Sequence, residues 1–176
     1  MKSCKLKLRP LRPEDEVSFK KAISAFKNES PSFEFAFEFD ESIPFLEYIK
    51  KLEGWSLGKG LPDKFVPSTF LVGVIDGQIV GRLSLRHRLN DFLARIGGHI
   101  GYGVIPSCRQ QGYATEMLKQ ALPICSSLGI KKVLITCDID NLGSQKVIER
   151  CGGIFENVTD DSQLKVQKRR YWIYIK

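Results

Sequence analysis

The sequence predicts one α+β domain, a mixed sheet with helices on both faces. Three observations lead there. The 176 residues suffice to bury a core without metal or disulfide staples, and no repeat or low-complexity tract divides them, so residues 1–176 read as one domain. Apolar spacing switches between period 2 and period 3.6 in the order β-α-α-β-β-β-α-β-α-β-β, mixing strands and helices rather than alternating them strictly. And Asp76-Gly77 lies between two β-rich runs, "TFLVGVI" and "QIVGRLSLR", the type I′ signal of a hairpin.

The remaining elements follow in chain order. "KLKLRPL" alternates and opens the sheet. In "RPEDEVSFKKAISAFKNES", Val17, Phe19, Ala22, Ile23 and Phe26 recur near helical spacing behind an acidic first turn. "SFEFAFEF" (32–39) has strict period 2, with four phenylalanines on one face. A second helix follows in "DESIPFLEYIKKLEG", with Asp40 or Ser42 as cap, Pro44 in its first turn and Gly54 at its end. "WSLGKGLPDKFVPS" reads as a loop. After the hairpin, "GGHIGYGVI" is a third strand leading into "PSCRQQGYATEML". The helix beyond carries Ala114, Met117, Leu118, Ala121, Leu122 and Cys125 on one stripe, and Pro123 kinks it or loosens one hydrogen bond. "KKVLITCDI" is a buried strand, "GSQKVIER" a helix, and "GGIFENV" with "LKVQKRRYWIYI" closes the fold.

Composition excludes several classes. With 43% hydrophobic and 27% charged residues the chain is not disordered. No apolar run approaches the roughly 18 residues of a membrane span, and the N-terminus lacks the apolar centre of a secretory signal. Five scattered cysteines, odd in number and without a C-x-x-C, predict reduced thiols in a cytoplasmic protein. With only His87 and His99 as histidines, no metal site is expected. The net charge of +7 fits an anionic partner. Part of it comes from "KVQKRR", which reads as a solvated strand face rather than a nucleic-acid surface, and no nucleic-acid reader motif is present.

The joint at Arg109-Gln110-Gln111-Gly112-Tyr113-Ala114 calls for an explanation. A helix N-terminus leaves backbone N–H groups unpaired and carries a partial positive charge, so it attracts phosphate. Gly112 removes a side chain where an anion would approach, Ala114 nearly does so, and Arg109 adds a cation at the rim. Arg/Gln-x-x-Gly-x-Gly/Ala arises by chance in roughly one chain in six of this length, so its weight comes from placement between a strand and an amphipathic helix. It is neither the Walker nor the Rossmann pattern.

With "VIPSCRQQGYATEML" and, about 30 residues on, "DNLGSQKVIERCGG", the sequence resembles the GNAT family of acetyl-CoA-dependent N-acetyltransferases. The second stretch matches the family pattern N-x-x-S-x-x-V-x-E-(K/R)-x-G. Its serine and valine are most similar to the branch of the ribosomal-protein N-acetyltransferases. The resemblance implies a mostly antiparallel, twisted sheet of about seven strands, splayed at the CoA site. It implies that the amides of Gln110, Gln111, Gly112, Tyr113, Ala114 and Thr115 cradle the CoA pyrophosphate, with Arg109 beside them. Val104 would pair its backbone with the pantetheine arm, and Asn141 and Ser144 would line that arm. Acetyl-CoA is then the co-substrate, without metal, and an amine the acceptor.

Direct transfer needs a base for the ammonium and an acid for the thiolate. The tyrosine that many family members place on the helix of the second motif is replaced by Ile148. Water, Ser144, Cys151 or a tyrosine from elsewhere are the alternatives. For the base, "IGGHIGYGV" offers His99, whose unperturbed pKa near 6.5 suits proton uptake; a structural histidine is the competing reading. Tyr102 reads as packing, and His87 as solvated. The phenylalanines of "SFEFAFEF" read as core, or as aromatic faces beside Glu34 and Glu38 for a cationic amine, with Trp55 in the following loop available for the same use. A non-catalytic CoA-binding regulatory domain is the alternative function. An exposed edge on a final strand "YWIYI" suggests a homodimer.

Overall fold

The computed structural model describes residues 5–27, 29, 33–161 and 166–175. Seven strands form one sheet in the order β1-β2-β3-β4-β5-β7-β6. The strands are β1 (Lys7–Arg9), β2 (Ser68–Ile75), β3 (Gln78–Arg86), β4 (Ile100–Val104), β5 (Lys132–Asp138), β6 (Ile154–Asp161) and β7 (Val166–Tyr174). Every neighbouring pair is antiparallel except β4–β5, which is parallel. The element order is the one the spacing predicts, and the hairpin turn has Asp76 and Gly77 at φ 48° and 75°, the left-handed pair a type I′ turn requires.

Helices α1 (Glu16–Phe26) and α2 (Phe45–Ser56) cover one face, and α3 (Tyr113–Ser127) with α4 (Leu142–Arg150) the other. Two apolar cores result. Met117, Leu118, Ala121 and Cys125 of α3 pack with Leu83, Leu85, Ile100 and Ile135 of the sheet. Phe19, Ala22, Phe45, Tyr48 and Trp55 pack with Phe70, Val72 and Val74 on the opposite face. Helix α3 comes close to the sheet because β2 and β3 carry glycine beneath it. A Cβ on Gly73 would stand 2.6 Å from Met117 Sδ, and one on Gly81 2.6 Å from the Gly103 carbonyl oxygen. Gln120 looks outward in the sequence pattern but stitches α3 to the sheet edge, accepting from Leu8 N at 2.9 Å and donating to Leu6 O at 3.0 Å.

Several expectations are corrected. Residues 33–39 form bends and turns, because β1 already occupies the sheet edge beside β2 and Glu38 takes φ 47°; Ser32 lies outside the described residues. The four phenylalanines still reach the second core, around Phe19, Phe26 and Phe70. Helix α2 runs past Gly54 and ends before Gly58 at φ 76°, and Asp40 bonds Ser42 N instead of capping it. Trp55 sits in α2, buried, with its Nε1 on Gly60 O. Val17 is exposed. Strand β7 is paired on both edges, so the sheet edge belongs to β6, and the edge argument for a dimer through "YWIYI" falls. The β7 cations are partnered rather than simply solvated: Lys168 with Asp138, Arg170 with Glu156, and Arg169 over Phe155; Lys165 lies outside the described residues. His87 is half-buried and bonded to Thr69 at 2.8 Å.

The close approach of β3, β4 and α3 is testable at Gly81. Gly81→Ala forces its Cβ against backbone, and overpacking of this kind costs about 1–3 kcal/mol. Urea unfolding should show the midpoint falling with an unchanged slope; an unaltered midpoint would refute the packing argument.

Candidate active site

Strand β4 is firmly laddered to β3, from Gly81↔Val104 to Leu85↔Ile100, but meets β5 in register only at Ile100↔Ile135. Arg86 N donates to His99 O at 2.8 Å and Ile105 N to Val80 O at 2.9 Å. Backbone polar groups alternate sides along an antiparallel strand, so the odd-numbered residues turn theirs to β3. Tyr102 and Val104 therefore direct their N–H and C=O groups toward β5, into a wedge where the two strands have parted. Arg109 Nε reaches the Val104 carbonyl from that side at 3.2 Å.

His99 closes the apex of the wedge. Its N–H donates to Leu134 O at 2.7 Å, and its Nδ1 accepts from Leu134 N at 2.9 Å. That second bond puts the proton of the neutral ring on Nε2. Burial, aided by the charge of Arg86, pushes its pKa down to about 4. The side chain is thus an uncharged clamp between β4 and β5 at neutral pH, with one nitrogen already committed to the backbone.

Beyond the wedge, a short turn at Pro106–Cys108 leads into the loop before α3. Gln110 and Gly112 both have positive φ, 63° and 81°. Among the described residues, the amides of Gln110 to Thr115 have no protein acceptor, and the first bond into the helix is Glu116 N to Gly112 O at 3.0 Å. A Cβ on Gly112 would meet nothing within 4 Å, so the space before these amides is open. Six unpaired donors at the positive end of a 15-residue helix form an anion cradle. Arg109 stands at its rim but not as a free cation, since Glu29 holds it at 2.6 Å.

Helix α4 supplies the opposite wall. Asn141 caps it, Oδ1 accepting from Ser144 N at 2.9 Å. Ser144 Oγ lies 2.8 Å from Tyr102 Oη, joining α4 to β4 on the α3–α4 side of the wedge. Burial raises the Tyr102 pKa well above the ordinary phenol range. Cys137 is also buried nearby, its thiol pushed up to about 11 chiefly by burial. Ile148 is fully buried in the core, so no acid reaches the wedge from that position. Cys151 contacts the Thr115 carbonyl through its sulfur at 3.7 Å.

On the other face of β4, the aromatic rings near Glu34 hold a cation of the chain itself. The Arg82 guanidinium lies 4.4 Å from the Phe33 ring centroid and 4.5 Å from that of Phe37, with Nη2 on Glu34 O at 2.6 Å. Sequence reasoning passed over Arg82, which looks like an ordinary polar residue in an alternating strand. It gave Tyr102 to packing because nothing local announces Ser144 as its partner. Among the described residues no group of three or more His, Cys, Asp or Glu is placed to hold a metal.

A model of the acetyltransferase (GNAT) domain matches residues 5–154. The chain belongs to the GNAT acetyltransferase family. A curated relative, the uncharacterized N-acetyltransferase YjdG of Bacillus subtilis (strain 168), is 30% identical over 77 residues. That match spans 43% of this chain and 42% of the relative, less than half of each. Among solved structures, RimJ of Mycobacterium smegmatis in complex with CoA-disulfide matches with TM-score 0.69 and 19% identity, covering 96% of this chain and 81% of that one. RimL, a ribosomal-protein α-N-acetyltransferase in complex with coenzyme A, matches with TM-score 0.68 and 18% identity over 98% and 96%. Salmonella typhimurium yncA with acetyl-CoA matches with TM-score 0.62 and 12% identity over 97% and 94%. At these identities the likenesses show the fold: the mostly antiparallel seven-stranded GNAT sheet.

The His99 clamp gives a pH dependence. The unfolded ring takes up a proton below about pH 6.5, while the folded one resists until about pH 4. Stability is therefore complete above the upper value and is lost as pH falls through that window, by on the order of 2–3 kcal/mol. Chemical denaturation at stepped pH should show this slope in the wild type and a flatter one in His99→Gln. Equal slopes would place the titration elsewhere.

Proposed function

We propose that this protein moves an acetyl group from acetyl-CoA directly to a primary amine, of a small molecule or of a peptide N-terminus or lysine, with no covalent enzyme intermediate. The observations that carry the reading are the amides of Gln110–Thr115, which have no acceptor among the described residues, and the backbone N–H groups of Tyr102 and Val104, which the parted β5 leaves without a ladder partner. The loop suits a pyrophosphate, and the parted strands suit an amide-bearing arm that takes the place of the missing β5 ladder. Asn141 acts by capping α4, which sets Ser144 against the arm.

In the transfer step the neutral amine nitrogen forms a bond to the thioester carbonyl carbon. Backbone N–H near Val104 steadies the oxyanion, the C–S bond breaks, and the nitrogen sheds a proton to solvent water. CoA leaves as a thiolate that needs a proton. The Tyr102–Ser144 hydroxyl pair, beside the wedge on the α3–α4 face, is the group we assign to that delivery. His99 receives no proton-transfer role in this reading: its Nδ1 is bonded to Leu134 N, and its low pKa leaves it a poor base at neutral pH. Its part is to hold the wedge open at a fixed angle. We place the protein in the cytoplasm, where the free thiols of Cys108, Cys125, Cys137 and Cys151 are stable. No helix among the described residues is long and apolar enough to cross a membrane.

Calorimetric titration with acetyl-CoA tests the cofactor site. The wild type should bind with micromolar affinity, and Gly112→Trp should abolish the signal by filling the open space before the amides. Absence of wild-type binding would remove the reading. Binding without turnover of any amine would leave a CoA-binding domain instead.

The proton relay has its own test. Tyr102→Phe combined with Ser144→Ala should lower kcat by about 10²-fold, the usual contribution of a positioned acid, while acetyl-CoA affinity changes little. An undiminished kcat would assign the proton to water.

A further inference from the structure

The α1–α2 face of the sheet carries two guanidinium groups that form no ion pair with a carboxylate among the described residues. Arg82 is 4% exposed and has one hydrogen bond, to the Glu34 carbonyl. Its Nε is buried without a partner. Arg86, four residues along the same strand and so on the same face, donates through Nη1 to the carbonyls of Gly97 and Gly98, at 3.2 Å each. Among the described residues neither forms an ion pair, and Nη1 of Arg82 and Nη2 of Arg86 have no acceptor. Glu34 contributes its backbone oxygen to Arg82, while its carboxylate acts only from a distance on the exposed side.

Such an arrangement is costly. A buried charge is normally paired, and two like charges on one face add to the penalty. Burial and the neighbouring Arg86 bring the Arg82 pKa down to about 9, so it remains charged at neutral pH. The rings of Phe33 and Phe37 recover part of the cost by stacking, but they are not counter-ions.

The position of the pair points to its use. Arg82 pairs with Gly103 and lies beside the short stretch of β4 that ends at Val104. On this face β4 contributes no side chain at Gly101 or Gly103: a Cβ on Gly101 would stand 3.5 Å from Arg86 Nη1, and the place of one on Gly103 is taken by the Phe33 ring. Tyr102 and Ser144 lie on the opposite face. The two guanidiniums therefore flank the backbone of the transfer centre from the side away from the thiolate proton relay.

We propose that the acceptor is a primary amine bearing an anionic group, a carboxylate or a phosphoryl, and that Arg82, supported by Arg86, holds that group on this face of the sheet. The proposal rests on the acetyl-transfer reading and adds the substrate class. A guanidinium edge matches either anion with two parallel hydrogen bonds, and burial strengthens both.

The test is CoA-thiol release with matched amines: α-amino acids against their carboxamides, β-alanine against β-alaninamide, and aminoethyl phosphate against ethanolamine. The anionic member of at least one pair should exceed its neutral partner in kcat/KM by roughly 10–100-fold, the effect of a charge-assisted hydrogen bond, and the better pair identifies the anion. Arg82→Met should bring that ratio close to one, with Arg82→Lys restoring part of it, while calorimetry shows acetyl-CoA affinity within about twofold of wild type. Arg86→Gln, which leaves the phenylalanine stack in place, should reduce the ratio even if Arg82→Met fails to fold. Equal turnover of neutral and anionic amines would overturn this proposal and leave acetyl transfer standing. Turnover of none, with acetyl-CoA still bound, would remove both.

Discussion

Two hydrogen bonds between His99 and Leu134 hold β4 to β5 beside the single place where those strands are in register. From that point β4 follows β3 and β5 follows β7, each laddered to its own antiparallel partner. The opening between them is therefore a consequence of pairing on the outer sides, not of weak structure. A parallel pair that continued would satisfy Tyr102 and Val104 internally; parting gives the Val104 carbonyl to Arg109 and leaves the other groups without a ladder partner. The clamp must be uncharged to work, because Nδ1 accepts from an amide only when it carries no proton. Burial and Arg86 keep it so.

The same economy governs the loop. Helix α3 approaches the sheet closely over Gly73 and Gly81, with Met117 filling the space that side chains would occupy. Its N-terminus is thereby held at a fixed place beside the end of β4. Arg109 bridges Val104 and Glu29, locking the turn to the strand on one side and to the segment after α1 on the other. An anion cradle is useful only if its amides point steadily, and these contacts supply the rigidity.

The two faces of the sheet divide the chemistry. The α3–α4 face holds Tyr102, Ser144 and Cys137, neutral groups whose ionisation burial suppresses. The α1–α2 face holds the uncompensated charges of Arg82 and Arg86 over a glycine-floored strand. The glycines of "HIGYGV" thus serve one face only. Even-numbered positions present side chains to α4, and odd-numbered ones leave room for the guanidiniums and Phe33.

The amino-acid sequence alone determined what depends on neighbours along the chain. The Asp76-Gly77 hairpin, the stripe of α3 and the loop before it are local: a positive φ at Gly112, a helix start and an amphipathic run are written within a few residues. The family followed from two such stretches at their spacing. What only the tertiary structure decided are meetings of distant residues. His99 became a clamp because Leu134 is there, Tyr102 gained a hydroxyl partner because α4 folds back onto β4, and β7 slipped between β5 and β6. The phenylalanines of residues 33–39 took Arg82 as their cation because the turn brings them over β3. A period-2 pattern reports that alternate side chains are buried; it carries no record of what they are buried against, since that depends on contacts far along the chain.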